Sequence, residues 1–124
     1  MGKNSLGFRS GRYYTNLPIR DRAAGSLSLP MIVVRGMSAR PTLLVTAGSH
    51  PTEYAGVEAA LRLSRTLNPK KIRGRVIIVP FVNLLGFNAR APGACPEDSV
   101  DIFGAFPGTG GETASCDTDC TTAV

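Results

Sequence analysis

The sequence predicts a mixed α/β domain whose sheet is largely parallel and flanked by helices, and three observations carry that expectation. Two short apolar runs without polar alternation, residues 43–47 and 76–79, read as strands buried on both faces. Between them Tyr54, Val57, Leu61 and Leu67 recur at helical spacing, with Ala60 and Leu63 beside them and Glu58, Arg62 and Arg65 on the opposite side. Strand, amphipathic helix and strand make a βαβ unit, whose two strands run parallel with a right-handed crossover.

Residues 1–24 are rich in Gly, Arg and Asn and show no sustained period, so they read as an irregular leader with at most one short strand near Tyr13-Tyr14. Residues 26–35 carry Leu27, Leu29, Met31, Ile32, Val33 and Val34 and read as a strand. Pro30 places that strand at an edge, or marks its beginning. Residues 36–41 are a tight connection into the central run, which suggests a hairpin between the two strands. The helix is expected over about 52–67 and is closed by Asn68-Pro69. The basic connection 70–75 leads into the second buried strand, and residues 84–90 read as a loop leaving its carboxyl end.

The stretch Ala47-Gly48-Ser49-His50-Pro51-Thr52-Glu53 is where the chemistry concentrates. Pro51 fits the first helical position and puts Glu53 in the first turn, so that His50 and Glu53 become neighbours three residues apart. They stand at the carboxyl end of a strand, where open α/β sheets bind ligands. An imidazole and a carboxylate held this way can take a divalent metal, and zinc accepts both donor types. The competing reading makes Glu53 a complement to the helix dipole and His50 a solvated loop residue.

Three blocks in order decide between these readings. Ala47-Gly48-Ser49-His50-Pro51-Thr52-Glu53-Tyr54-Ala55-Gly56 is followed by Val79-Pro80-Phe81-Val82-Asn83. Then comes Pro96-Glu97-Asp98-Ser99-Val100-Asp101-Ile102-Phe103-Gly104-Ala105-Phe106-Pro107-Gly108. From Pro41 to Gly108 the chain resembles the succinylglutamate desuccinylase/aspartoacylase family, the deacylase branch of the zinc carboxypeptidase-like hydrolases. The resemblance implies a zinc exopeptidase-like fold, incomplete in this chain. It also implies one zinc ion with His50 and Glu53 as ligands, and a small acylated amino acid or similar amide as substrate. The implied reaction is metal-assisted hydrolysis, in which a glutamate takes the proton of water and an arginine stabilises the oxyanion. Arg90 is the candidate for that catalytic arginine, and Asp101 is expected to hold the site loop through hydrogen bonds. On this basis the chain divides into the leader 1–24, a partial deacylase-like α/β domain over 25–108, and a disordered tail over 109–124.

Two departures count against activity. The family's Asn-Arg pair, which holds the substrate carboxylate, falls on Phe103 and Gly104. The family's second histidine ligand and its catalytic glutamate lie further downstream, whereas this chain has one histidine in its 124 residues. A two-histidine, one-carboxylate site is therefore excluded within one copy. Loss of the resemblance within and after the third block is what a truncated or frame-shifted product would show. A non-catalytic remnant or binding module is the alternative function.

Composition narrows the classes further. Hydrophobic residues at 43% and charged residues at 19% are ordinary for one globular domain. No apolar run approaches the ~20 residues that span a bilayer, and no apolar signal core follows the start, so cytoplasmic residence without a membrane partner is the expectation. Cys95, Cys116 and Cys120 cannot all pair, and without a secretory signal they read as reduced thiols. The net charge of +5 hides an asymmetry, with the body basic and residues 91–124 carrying six acids and no base. Arg9-Ser10-Gly11-Arg12-Tyr13-Tyr14 has the Arg and Tyr interleaving of single-strand nucleic-acid binders, but two tyrosines make no stacking platform, and nucleic acid is the minor reading. The oligomeric state is left open.

Overall fold

The computed structural model describes residues 9–22, 25–96 and 99–105. In chain order the elements are β1 (Gly11–Arg22), β2 (Gly25–Arg35), β3 (Thr42–Thr46), α1 (Tyr54–Thr66), β4 (Arg75–Val79), α2 (Leu84–Ala89) and α3 (Ile102–Ala105). The four strands form one sheet in the order β1-β2-β4-β3. The class is mixed α/β as expected. β3 and β4 pair in parallel across α1, from Thr42↔Arg75 to Thr46↔Val79, while β2 runs antiparallel to both β1 and β4.

Residue alternation along β2 and β4 divides the core between the two faces of the sheet. Ile32, Val34 and Ile78 pack with Ala60 of α1 on one face. Leu29 and Val79 pack with Val82 and with Ile102 of α3 on the other. Leu29, Val34 and Ile78 are fully buried, and each such side chain contributes roughly 1.5–3 kcal/mol relative to exposure. Along α1, Val57, Ala60 and Ser64 are the buried positions, and Glu58 pairs outward with Arg62 at 2.7 Å. Tyr54, expected on the buried face, is 62% exposed and meets the ring of Phe87 edge-on, with centroids 6.2 Å apart.

Four expectations about the sheet are corrected. The leader is not irregular from residue 11 onward, since β1 pairs with β2 along Gly11↔Arg35 to Arg22↔Gly25. Its inner face reaches the core only through Leu17 and Ile19, which pack on the Leu29 and Val79 cluster, so the apolar alternation is too short to read from the sequence. β2 and β3 do not form a hairpin: β4 lies between them. Pro30 does not put β2 at the sheet edge, but it falls where β2 has run past β4, whose pairing begins at Ile32, so its missing N–H leaves no gap in that ladder. Finally, β3 is not a central strand buried on both faces, for Leu43 is 58% and Leu44 40% exposed. An apolar run records that a strand suits neighbours; where it sits in the sheet is set by tertiary pairing.

Cys95 is buried and disulfide-bonded rather than a reduced thiol. Parity among three cysteines requires only that one be left over. Cys116, Cys120 and the rest of the expected tail lie outside the described residues, as do Glu97, Asp98 and the Phe106-Pro107-Gly108 end of the third block. Among the described residues no helix is long and apolar enough to cross a membrane.

The arginine and tyrosine pattern near the start of β1 is used within the fold. The guanidinium of Arg12 donates to the carbonyls of Ser64 at 2.6 Å, Leu67 at 2.8 Å and Arg65 at 3.1 Å. It thereby closes the carboxyl end of α1, where unpaired carbonyls and the helix dipole favour a cation. The Tyr13 hydroxyl donates to the Arg9 carbonyl.

Candidate functional site

The site is assembled where β3 and β4 end together. Ala47 N–H donates to Val79 O at 3.0 Å, Val82 N–H to Ala47 O at 2.9 Å and Asn83 N–H to Gly48 O at 3.1 Å, so the two strand ends stay laced past the ladder. Gly48 has φ +71, and a β-carbon there would come within 2.9 Å of the Pro80 carbonyl. Only glycine fits both the left-handed backbone and that close approach.

Asn83 is the fastening of this loop, and it is 2% exposed. Its amide donates to Ser49 O at 3.2 Å and Gly93 O at 3.3 Å, and its Oδ1 accepts from Gly86 N–H at 2.9 Å as the N-cap of α2. One side chain thus ties together the loop that carries His50, the segment after α2 and α2 itself. In the sequence this asparagine stands out only as the last residue of the second matching block. The expected loop over 84–90 is for the most part this short helix, which the asparagine cap starts.

His50 and Glu53 do meet, though not as helical neighbours. α1 starts at Tyr54 with Glu53 as its N-cap, at φ −88 and ψ 64, and with no side-chain capping bond. Pro51 is therefore not the first helical residue, nor Glu53 part of the first turn. A turn closed by Glu53 N–H to His50 O at 3.1 Å brings the side chains together instead. His50 Nδ1 lies 3.1 Å from Glu53 Oε1, and His50 Nε2 lies 3.0 Å from Asp101 Oδ1. Asp101 also accepts the N–H of Phe103 at 3.0 Å. The hydrogen bonds of Glu53 and then Asp101 hold the imidazole pKa above its ordinary 6.5, against the opposing effect of desolvation. The Phe103 N–H first, and then His50, hold the Asp101 carboxyl below its ordinary range.

A cavity of about 630 Å³ opens beside this cluster, with His50, Glu53 and Phe103 among its lining at one end and Ala47, Ala60 and Leu63 along its apolar wall. Phe103 is 76% exposed, and its ring centroid stands 6.5 Å from that of His50. Arg90 lies elsewhere. It is the C-cap of α2 in the left-handed conformation, φ 53 and ψ 35, with its N–H directed to Gly86 and Phe87 carbonyls, and it is not part of the cavity lining.

The donor set suits zinc in kind but is small. His50 Nδ1 and the Glu53 carboxylate are the residues that would hold such a cation, since zinc accepts imidazole nitrogen and carboxylate oxygen. Asp101 on Nε2 gives the arrangement in which a carboxylate fixes the outer ring nitrogen and leaves the other for the metal. Among the described residues no three His, Cys, Asp or Glu side chains converge as a ligand set.

Comparison with known proteins places this arrangement. Residues 39–98 match the succinylglutamate desuccinylase/aspartoacylase catalytic domain, a span that contains His50, Glu53, Asn83 and Arg90. Residues 39–98 carry the catalytic-domain pattern of the succinylglutamate desuccinylase/aspartoacylase family. An N-alpha-acetyl-L-2,4-diaminobutyric acid deacetylase of Halomonas elongata is 36% identical over 97 residues, which are 77% of this chain and 28% of that protein. The crystal structure of an aspartoacylase family protein from Mesorhizobium loti superposes with a TM-score of 0.78 at 30% identity, over 93% of this chain and 36% of that one. The product-bound ectoine utilization protein EutE (DoeB) from Ruegeria pomeroyi gives 0.72 at 30% identity, over 91% and 34%. The chain thus spans between 28% and 36% of the length of these relatives. It carries a deacylase-family fold element and, with it, the His50 and Glu53 corner.

Proposed function

We propose that this chain carries the first half of a zinc site from a deacylase acting on small N-acyl amino acids, with His50 Nδ1 and Glu53 as the two metal ligands. The observation that supports this reading most directly is the triad itself, in which Asp101 occupies Nε2 while Nδ1 faces the Glu53 carboxylate at 3.1 Å. A donor nitrogen pointed at an anion calls for a proton or a metal cation between them. When bound, zinc would supply polarisation of the scissile carbonyl and activation of water.

The chain's own residues do the rest of what the site can do. Asp101 orients the imidazole, Asn83 fixes the loop, and the apolar wall of the cavity excludes water from the acyl side of a substrate. Arg90, the C-cap of α2 and outside the cavity lining, acts on an anionic substrate only through its long-range field. The deacetylase relative points to an acetylated amino acid, but Phe103 and Gly104 occupy the positions of the family's carboxylate anchor. With two ligands and no anchor, the chain by itself binds zinc without turning over substrate.

Zinc titration followed by the NMR signals of the single histidine tests the reading. The wild type should show a zinc-dependent shift of His50 that Glu53→Ala abolishes. If the variant matches the wild type in metal content and in the His50 shift, the metal resides elsewhere and the proposal fails.

A further inference from the structure

We propose that the amino ends of β3 and β4 form an oxyanion site for a phosphate group, held by the guanidiniums of Arg40 and Arg75 with the hydroxyl of Thr42. The rung Thr42↔Arg75 opens the parallel ladder, whereas His50 and Glu53 lie past its other end, beyond Thr46↔Val79. The site is thus separate from the zinc corner. Its floor is two loops bound to each other. Gly36 N–H donates to Gly74 O at 2.8 Å and Arg75 N–H to Pro41 O at 2.9 Å, while Ser38 Oγ accepts from Gly74 N–H and donates to Arg40 O, each at 2.9 Å. Gly74 has φ +80, and a β-carbon there would overlap the Pro41 carbonyl, so only glycine permits the approach. A ligand meets a surface already in place, which lowers the ordering cost of binding.

The charge on this floor has one sign. Arg40, Lys70, Lys71, Arg73 and Arg75 are all exposed, while Glu58 is taken up by Arg62, and Glu53 and Asp101 by His50. Of the five cations only Arg75 makes a side-chain hydrogen bond among the described residues, from Nε to Thr42 Oγ1 at 2.8 Å. That bond uses neither the terminal fork of the guanidinium nor the proton of the Thr42 hydroxyl. A cavity of about 710 Å³ is lined by Ala39, Arg40, Pro41, Thr42 and Arg75, and so by both guanidiniums and the hydroxyl together. The flank of β3 beyond Thr42 takes no part in it.

Donor count and charge select phosphate as the occupant. Two guanidiniums and a hydroxyl match the charge and the acceptor oxygens of a phosphate dianion, which a guanidinium binds with two parallel hydrogen bonds. A carboxylate brings one charge and two oxygens, and leaves part of this donor set unused. The cavity has the size of a small-molecule site, so the phosphate can be carried on a small molecule. A polynucleotide fits less well, because no aromatic side chain is among the cavity lining and single-stranded binders add base stacking to phosphate contact. Lys70, Lys71 and Arg73 add to the field that draws an anion in without being part of the lining.

Titration of the full chain with inorganic phosphate in zinc-free buffer at constant ionic strength, followed by backbone and arginine NMR signals, tests this. Saturable shifts should appear at residues 39–42 and 73–75 and leave the His50 signals in place. Acetate should bind more weakly than phosphate. Arg40→Ala should weaken phosphate by about tenfold or more, as loss of a charge-assisted pair does, and Arg40 has no side-chain bond whose removal would disturb the fold. Thr42→Val, which keeps the branched shape, should weaken it less than Arg40→Ala but more than Lys70→Ala. Shifts that never saturate, acetate that binds as tightly as phosphate, or an affinity indifferent to Arg40→Ala overturns the proposal. So does an equal loss in Lys70→Ala and Arg40→Ala with tighter, steeply salt-dependent binding of an oligonucleotide, which would make the loops a general polyanion surface.

Discussion

The carboxylate of Asp101 lies 3.0 Å from Nε2 of His50, across 51 residues of sequence. This one bond joins the third family block to the first and fixes how the imidazole stands. Held by Asp101 on one nitrogen and by Glu53 on the other, the ring cannot turn without breaking two contacts.

The first prediction follows from that double contact. His50 should titrate above 6.5 in an NMR pH series, because both carboxylates favour the imidazolium. Since the folded-state pKa is raised, the ion-pair contribution to stability is fully present below the unfolded-state value and is lost as pH rises through the folded-state value. Asp101→Asn should move the titration back toward 6.5, and Glu53→Gln should move it further. A histidine that titrates at its ordinary value in the wild type would mean the two contacts do not persist in solution.

Zinc should compete with that proton. Affinity is expected to fall as pH drops through the His50 titration, since the metal needs the neutral ring. Asp101→Asn, which loses only the outer contact, should weaken zinc by about 10–100-fold. Calorimetry at two pH values would measure both effects. Equal affinity above and below the His50 titration would remove Nδ1 from the ligand set.

Asn83 should matter to stability more than any residue at the surface of the site. Asn83→Ala removes the cap of α2 and leaves the Ser49 and Gly93 carbonyls without their donor, at a cost of about 2–4 kcal/mol. Urea unfolding would report it as a lower midpoint with an unchanged slope. A loss within the ordinary surface range of about 0.5 kcal/mol would show that the loop is held by its backbone bonds alone.

The parts of this molecule legible in its sequence are those with a local signature. The parallel pair of strands across one amphipathic helix could be read because apolar runs and a 3.6-residue period are properties of adjacent residues. The meeting of His50 and Glu53 was legible for the wrong local reason, since a turn and not the helix joins them. β1 was not legible, because only Leu17 and Ile19 of its inner face are aliphatic and pack on the Leu29 and Val79 cluster, too short an alternation to stand out among Arg, Asn and Pro. The exposure of Leu43 and Leu44 was not legible either, for the same letters suit a buried strand or an exposed one. Arg12 shows the limit most plainly, since its acceptors lie 52 to 55 residues away.

Arg12 therefore gives a stability prediction in place of a nucleic-acid one. Arg12→Ala should destabilise the fold by about 1–3 kcal/mol by uncapping the α1 carbonyls. Arg12→Lys should recover part of this, since it returns the charge without the fork that reaches three oxygens. Hydrogen exchange at the last turn of α1 would localise the effect. Unchanged protection there in the alanine variant would return Arg12 to the surface.

The last prediction concerns turnover, and it sets the family fold against the residues available to it. On the proposed zinc reading the cluster would offer one imidazole and one carboxylate to a metal, while Asp101 is bonded to the imidazole. Phe103, 76% exposed beside His50, offers an aromatic ring and no charge to a substrate there. Absence of a general base alone typically costs on the order of a hundredfold or more, and weak metal retention removes water activation as well. The isolated chain should therefore hydrolyse N-acetylated amino acids no faster than a zinc-buffer control. A zinc-dependent rate well above that control, lost in His50→Ala, would show that groups beyond Glu53 and His50 complete the site within this chain.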